Sequence, residues 1–333
     1  MSLDEIEKLV AELKGSAYRA KQIYKWVYAK SASSIDEMTD LPLKFREELS
    51  AVAEVTAVKI KQCQISSDGT IKYLIEYPDN ECVETVLMRF DNRANLTACV
   101  SSQIGCSLGC KFCMTAKRGF IRDLTAAEII EQVLMIQRDT KLKVTNIVFM
   151  GQGEPFLNLD NVLRAIEIFN KDFQIGVRRM TISTAGVIPS IKQLADMDFQ
   201  PTIAISLHAP THELRQKLMP IEQKYPLDEL IKALKYCTEK TGRRVTIEYI
   251  LIDKINDAPE HAKQLSDLIH DLKCNVNLII YNECDNLEYG KPSKNAIMKF
   301  KYILEHSGKK VTVRLERGAD IAAACGQLNG VRN

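Results

Sequence analysis

The sequence lacks the features of a membrane protein and of an exported protein. No apolar run in the 333 residues approaches the roughly 20 residues that a membrane-spanning helix needs. The first residues, MSLDEIEKLVAELKG, mix acidic, basic and apolar side chains and have no apolar centre like that of a signal peptide. No internal repeat or low-complexity segment is present either. We therefore expect a globular protein without membrane association and with a cytoplasmic location.

The sequence also lacks an excess of charge of either sign, since 45 Lys and Arg residues nearly balance 43 Asp and Glu residues. A domain that binds nucleic acid through its overall charge is usually strongly basic, and a net charge of +2 indicates no such domain. Basic residues do cluster locally, and each cluster is either a solvated face or a contact for phosphates. The clusters are Lys111, Lys117, Arg118 and Arg122; Arg178 and Arg179; and Lys309, Lys310, Arg314 and Arg317.

The ten cysteines have neither the context of a disulfide framework nor the full pattern of a zinc site. Disulfide frameworks belong to short secreted chains, so we expect these thiols to serve metal or redox chemistry. Structural zinc sites usually have two C-x2-C pairs, and only Cys110 and Cys113 form one here. With Cys106 they make C-x3-C-x2-C, a spacing that suits a [4Fe-4S] cluster. Three ligands would leave one iron open, whereas electron-transfer clusters normally have four.

The chain divides into three regions by its apolar pattern. Residues 1–60 have helical spacing with a break at Gly15, which predicts a small helical accessory domain. Residues 61–94 predict a β linker with a turn at 66–69. From 95 to 333, strand-like segments alternate with amphipathic helices, the first of which starts at a capping box at Thr125. The expected strands are 96–101, 144–150, 180–183, 202–207, 245–251, 276–281 and 311–314.

Six βα units and a last strand predict an α/β fold, an incomplete (β/α)6 barrel, because the chain is too short for eight units. Active sites of such folds gather at the carboxyl ends of the strands. Polar and thiol residues follow these ends: the cysteine triad, the loop Gly151-Gln152-Gly153-Glu154-Pro155, Ser183, Ser206 with Leu207 and His208, Asn282, and Cys325. The glycine loop is either a tight turn or a ligand contact in which Glu154 pairs with an ammonium group. Ser206 and His208 are equally compatible with a core role.

The cysteine triad followed by G-x-G-E resembles the radical S-adenosylmethionine superfamily. Further segments are similar to the RlmN/Cfr family of RNA adenine methyltransferases within it, and the likeness covers nearly the whole chain. These segments are SSDGTIK at 66–72, VETV at 83–86, CVSSQIGC at 99–106, SLHAP at 206–210 and AACGQL at 323–328. The chain departs from the family pattern at Gln152, where methionine is common, and at Tyr281-Asn282-Glu283, and it has about two extra residues between Glu84 and Cys99.

The resemblance implies a role for individual residues. Cys106, Cys110 and Cys113 would hold the [4Fe-4S] cluster, whose open iron binds the amino and carboxylate groups of S-adenosylmethionine. Further contacts with this cofactor would come from Gly153, Glu154, Ser183, Ser206, Leu207, His208 and Asn282. Cys325 would carry the methyl group, Cys99 would be its resolving partner, and Glu84 would accept a proton.

The family's reaction is methylation at C2 of an adenine, at adenosine 2503 of 23S rRNA and at adenosine 37 of some tRNAs. C2 is electron-poor and cannot attack a sulfonium methyl group directly. The resemblance implies two S-adenosylmethionine molecules per turnover, one that methylates Cys325 and one that is reduced to a radical. It also implies a Cys99–Cys325 disulfide on product release, RNA binding by the N-terminal domain, an electron donor such as flavodoxin, and a monomer.

Three alternatives stay open at this point. A Cfr-type enzyme would methylate C8 of the same rRNA adenosine. A non-catalytic RNA-binding protein would use the cysteines for a structural zinc and the basic clusters for phosphates. A radical enzyme acting on a protein or a small metabolite would have no need of Cys325. The pattern Gly153-Glu154-Pro155 and the residues 70–72 favour the C2 enzyme.

Overall fold

The computed structural model describes residues 1–90, 93–284, 287–314 and 316–330. The chain starts with helices, as the apolar spacing predicts. Helix α1 begins at Ser2 in a capping box, in which the Ser2 hydroxyl accepts from the Glu5 amide at 3.2 Å and the Glu5 carboxylate accepts from the Ser2 amide at 2.5 Å. The first three helices are α1 (Leu3–Glu12), α2 (Ala17–Tyr24) and α3 (Leu43–Ser50). They bury an apolar cluster of their own, which includes Val10, Phe45 and Leu49.

Ten strands of the described chain form one sheet in the order β1-β2-β3-β4-β7-β8-β9-β10-β11-β12. The strands are β1 (Lys59–Ile65), β2 (Ile71–Glu76), β3 (Cys82–Phe90), β4 (Arg93–Cys99), β5 (Gln103–Gly105), β6 (Phe120–Asp123), β7 (Asn146–Phe149), β8 (Met180–Thr184), β9 (Thr202–Ser206), β10 (Val245–Leu251), β11 (Cys274–Ile280) and β12 (Lys310–Arg314). Strands β5 and β6 pair separately. From β4 to β12 all neighbours are parallel, which confirms the incomplete α/β barrel.

The segment expected as a linker contributes antiparallel strands to the same sheet. β1 pairs with β2, β2 with β3 and β3 with β4. The hydrogen-bonded ladder therefore runs from β1 into the parallel strands, with irregularities in register at Ile60/Gln62 and Arg89/Phe90. The apolar alternation in this segment could not show which sheet the strands would join, and the division into domains stays a prediction.

A short helix, α4 (Met114–Arg118), follows the cysteine loop. The later helices alternate with the parallel strands; they are α5 (Ala126–Thr140), α6 (Leu159–Lys171), α7 (Ile188–Ala195), α8 (His212–Leu218), α9 (Leu227–Thr241), α10 (Pro259–Leu268) and α11 (Lys294–His306). Helix α5 begins at the predicted capping box, where the Thr125 hydroxyl accepts from the Glu128 amide at 3.2 Å. Its buried face includes Ile129 and Val133, each of which contributes about 2 kcal/mol through burial. No helix among the described residues is both long and apolar enough to cross a membrane.

Candidate active site

The cysteine triad lies on the loop between β5 and α4, at the carboxyl-end mouth of the barrel. All three thiols line one cavity, here the first cavity, together with Cys325. Burial raises the pKa of Cys106 to about 12. Burial, and then the nearby Cys113 thiol, raises the pKa of Cys110. Three thiols in such surroundings favour their protonated form unless a metal supplies positive charge.

The donor set fits an iron-sulfur cluster better than a single metal ion. Within the described parts of the chain, no three His, Cys, Asp or Glu side chains are placed as ligands of one ion. A [4Fe-4S] cube makes a different demand, because each thiolate bonds a different iron atom. Three thiols around one cavity meet that demand, so Cys106, Cys110 and Cys113 are suited to hold the cluster.

The glycine loop brings a buried carboxyl group to the same cavity. Gly153 has a φ of +94°, and a Cβ there would lie 2.5 Å from the Cβ of Gln103, so only glycine fits. The Glu154 side chain is 3% exposed. Its two oxygens accept from the amides of Phe156 at 3.0 Å and Ala185 at 2.8 Å. Burial nevertheless raises the pKa of Glu154 to about 7, so a cationic ligand in the cavity would stabilise its charged form.

Strands β8, β9 and β10 add polar groups to the first cavity. The hydroxyl oxygens of Ser183 and Ser206 lie 3.3 Å apart. His208 accepts from the Ile250 amide through Nδ1 at 3.0 Å, which leaves Nε2 as the ring donor. Burial, together with the Arg215 guanidinium, lowers the pKa of His208 to about 3. The imidazole is therefore neutral at physiological pH.

Two sequence-predicted cofactor residues lie outside the first cavity. Leu207 is fully buried in the core, and its backbone carbonyl accepts from Arg215 Nε at 3.3 Å. Asn282 lines a second cavity of about 640 Å³. Its Nδ2 donates to the Cys325 carbonyl at 3.3 Å, and its Oδ1 has no partner among the described residues.

The two thiols that were predicted to act together both lie at the second cavity. Cys99, at the end of β4, and Cys325 both line it, and Cys325 also lines the first cavity. Burial, and then the proximity of Cys325, raises the pKa of Cys99 to about 12. Both cysteines are free thiols in the structure, which does not support the disulfide that the resemblance implies on product release.

Glu84 is buried on β3 and lines neither cavity. One carboxylate oxygen lies 2.9 Å from Lys72 Nζ. The other accepts from the amides of Asn329 at 2.6 Å and Gly330 at 2.9 Å. The structure therefore brings Glu84 to the segment that follows Cys325 and does not place it beside either cavity.

Two charged residues at the site were not singled out for it from the sequence. Arg314, at the end of β12, lines both cavities, and its guanidinium lies 3.5 Å from Met150 Sδ. Glu248 lines the first cavity with Oε2 unpartnered among the described groups. A single carboxylate within the apolar strand VTIEYIL was the signal that could have identified Glu248.

Comparison with known proteins gives the family. The Radical SAM superfamily matches residues 100–265, and the N-terminal domain of the ribosomal RNA large subunit methyltransferases matches residues 1–55. A probable dual-specificity RNA methyltransferase RlmN from Caldanaerobacter subterraneus is 46% identical, over 98% of this chain and 96% of that protein. The RlmN relative from Geobacillus thermodenitrificans is also 46% identical, over 98% of this chain and 91% of its own length. The chain belongs to the RlmN family.

The similarity to known proteins extends to the three-dimensional structure. The crystal structure of a radical SAM methyltransferase from Sphaerobacter thermophilus is 41% identical and superposes with a TM-score of 0.95, covering 99% of this chain and 98% of that one. The predicted fold and the radical SAM enzyme class are thereby confirmed. Membership in this RlmN branch of the superfamily implies a [4Fe-4S] cluster and S-adenosylmethionine as cofactors. The roles of the individual side chains remain predictions.

Proposed function

We propose that the protein methylates C2 of an adenine in RNA and that Cys325 carries the transferred carbon. The family names and the N-terminal match support RNA as the substrate. Adenosine 2503 of 23S rRNA and adenosine 37 of some tRNAs are the sites that we propose. The observation that carries the proposal is the position of Cys325, which lines both cavities. From there the thiol can face the cofactor on one side and the substrate base on the other.

The reaction needs such a carrier because C2 of adenine is electron-poor and is a poor nucleophile toward a sulfonium methyl group. When bound, the cluster and two molecules of S-adenosylmethionine supply one methyl group and, on reduction by a donor such as flavodoxin, one hydrogen-abstracting radical. Cys325 accepts the methyl group on Sγ and, once activated, delivers its carbon to C2. The chain's own contribution is to hold the carrier thiol between the two ligands and to exclude water.

The residues of the first cavity hold and orient the cofactors. Cys106, Cys110 and Cys113 would bind three irons of the cluster. The Glu154 carboxylate would pair with the ammonium group of S-adenosylmethionine, and Ser183 with Ser206 would orient it by hydrogen bonds. Neutral His208 would donate from Nε2, since its Nδ1 is engaged by the Ile250 amide.

Product release would use the second thiol. Attack of Cys99 on the sulfur of Cys325 would break the bond between Cys325 and the transferred carbon and leave a disulfide. The released carbon would take up the proton of the Cys99 thiol and become a methyl group, and the unpaired electron of the adduct would return to the cluster. C2 must also lose its own proton. Glu84 can accept it only after it gives up its bonds to Lys72 and to the amides after Cys325, so the proposal requires movement of that segment during turnover.

The Cys99→Ala variant tests the proposal directly. We expect a covalent adduct between protein and RNA through Cys325, visible as a shifted band in a denaturing gel and mapped by mass spectrometry. The matched control is Cys237→Ala, which removes a buried cysteine of α9 that lines neither cavity. Free methylated RNA from repeated turnover by Cys99→Ala would contradict the role of Cys99.

The identity of the methylated nucleoside obtained from each RNA tests the substrate range and the position of methylation. Single turnovers with an rRNA fragment and with tRNA, followed by digestion to nucleosides and mass spectrometry, should give 2-methyladenosine from both. A product that is 8-methyladenosine would indicate the Cfr-type reaction. Gel filtration of the anaerobic holoenzyme should show a monomer.

A further inference from the structure

The segment that bears Cys325 crosses the mouth of the barrel as a strap, here residues 317–330. On one side it is attached to the cysteine loop. The Met114 amide donates to the Gly326 carbonyl at 2.8 Å, and the Thr115 hydroxyl donates to the Leu328 carbonyl at 2.6 Å. Both donors belong to α4, directly after the last cluster cysteine. These bonds hold the residues that follow Cys325. The residues that precede Cys325 are held by other contacts.

The part of the strap before Cys325 forms hydrogen bonds with the turn between β1 and β2. The Ser66 hydroxyl donates to Asp320 Oδ1 at 2.6 Å, and the Ser67 amide donates to Asp320 Oδ2 at 3.0 Å. In return, the Gly318 amide donates to Asp68 Oδ2 at 3.1 Å. The turn and the strap therefore exchange hydrogen bonds in both directions, with a carboxylate on each side.

Close packing reinforces these bonds. Gly318 has a φ of +64°, and a Cβ there would lie 2.9 Å from Thr70 Cγ2 and 2.8 Å from the Cβ of Ala323. Only glycine allows both the backbone conformation and the contact. Thr70, the residue before β2, is fully buried beneath this contact.

Lys72 connects both ends of the strap. Its side chain is buried, and Nζ donates to the Ala322 carbonyl at 3.2 Å and lies 2.9 Å from Glu84 Oε1. Glu84 in turn accepts from Asn329 and Gly330. A single buried ion pair thus holds the chain three residues before Cys325 and four residues after it.

We infer that residues 66–72, with Lys72 at their end, are a positioning device that sets the location of the Cys325 thiol between the two cavities. The inference rests on the proposed role of Cys325. Lys72 and Asp320 touch neither cavity, so they act through the strap. The same ion pair holds Glu84 to the strap, and release of residues 329–330 would free both this carboxylate and the end of the strap together.

The test compares strap mobility in the anaerobic holoenzyme of four variants. Asp320→Ala removes an exposed anchor, and Lys72→Met removes the buried one. Lys72→Arg keeps the charge. Lys61→Met is the control, because Lys61 forms an ion pair with Glu76 at 3.1 Å between the neighbouring strands β1 and β2 and has no hydrogen bond to the strap among the described residues.

Hydrogen exchange of the peptides that cover 318–330 should become about five- to tenfold faster in Asp320→Ala and Lys72→Met. Asp320→Ala removes three hydrogen bonds from Ser66 and Ser67, and Lys72→Met removes one hydrogen bond to the strap and the ion pair with Glu84. Alkylation of Cys325 by iodoacetamide should accelerate in parallel. Lys61→Met should exchange like the unmodified protein, and Lys72→Arg should restore most of the protection. Unchanged exchange in Asp320→Ala, whose surface position makes misfolding a minor concern, would overturn the inference.

A second readout separates positioning from folding and from the proposed function. In Asp320→Ala, the rate of Cys325 methylation should fall at saturating S-adenosylmethionine, while KM for the cofactor stays unchanged. An equal loss of both would indicate general damage to the fold and would contradict positioning. If the unmodified protein never methylates Cys325, the proposed function fails, whereas the exchange data still decide whether residues 66–72 anchor the strap.

Discussion

Replacement of Glu154 by glutamine should make the protein less stable than the unmodified protein at low pH and more stable at high pH. The folded protein raises the pKa of this carboxyl from 4.5 to about 7 by burial. Between these values the folded chain keeps a proton that the unfolded chain has lost, so stability falls as pH rises through about 7. Over pH 5 to 8 the loss from this one group is about 2 to 3 kcal/mol.

Glutamine keeps the shape but does not titrate, so Glu154→Gln should lack this loss. One backbone amide that now donates to the carboxylate loses its acceptor, at about 1 kcal/mol. The variant should therefore be about 1 kcal/mol less stable than the unmodified protein at pH 5 and about 1 to 2 kcal/mol more stable at pH 8.

Urea denaturation of the metal-free protein across this pH range, under reducing conditions, measures the effect. The matched control is Glu167→Gln, an exposed residue of α6, which should follow the unmodified protein. The same substitution should weaken binding of S-adenosylmethionine about 10- to 100-fold, because a charged hydrogen-bonding partner of its ammonium group is lost. Parallel stability profiles for the unmodified protein and Glu154→Gln would refute the account of this carboxyl.

Three further substitutions test how the site is supported. Arg215→Met should destabilise the fold by about 3 to 5 kcal/mol in a denaturant titration, because it removes the buried cation of Glu222 and leaves the partly exposed His212 as its remaining ion-pair partner; equal stability would contradict this. Gly153→Ala should cost about 1 to 3 kcal/mol from the positive φ and the clash with Gln103, and should impair cofactor binding measured by equilibrium dialysis. Thr125→Ala should lower stability by about 1 kcal/mol through loss of the helix cap, with unchanged cofactor affinity; a change in that affinity would be unexpected.

The parallel barrel could be predicted from sequence because its signals are local. Alternating strand and helix patterns, and caps such as Thr125, depend on neighbours within a few residues. The cysteine triad was equally local, and its loop delivers all three thiols to one cavity. The same holds for Glu154, whose place at a strand end determined its position.

Long-range contacts were beyond local patterns. The sequence could not indicate that Lys72 and Glu84 are paired with each other and with a segment about 250 residues later, because no periodicity connects them. Nor could it show that Asn282 would face the second cavity and Leu207 the core. Such contacts follow from how the two edges of the barrel approach each other, which depends on packing of the whole sheet.

The central claim is that the transferred carbon passes through Cys325, and isotope labelling tests it most directly. Protein methylated on Cys325 from S-adenosylmethionine with a trideuterated methyl group is purified and given unlabelled cofactor, a reductant and RNA for a single turnover. We expect 2-methyladenosine whose methyl group carries two deuterium atoms, since one is removed when the methyl group is activated. Product without deuterium, or 2-methyladenosine formed by Cys325→Ala, would contradict the claim.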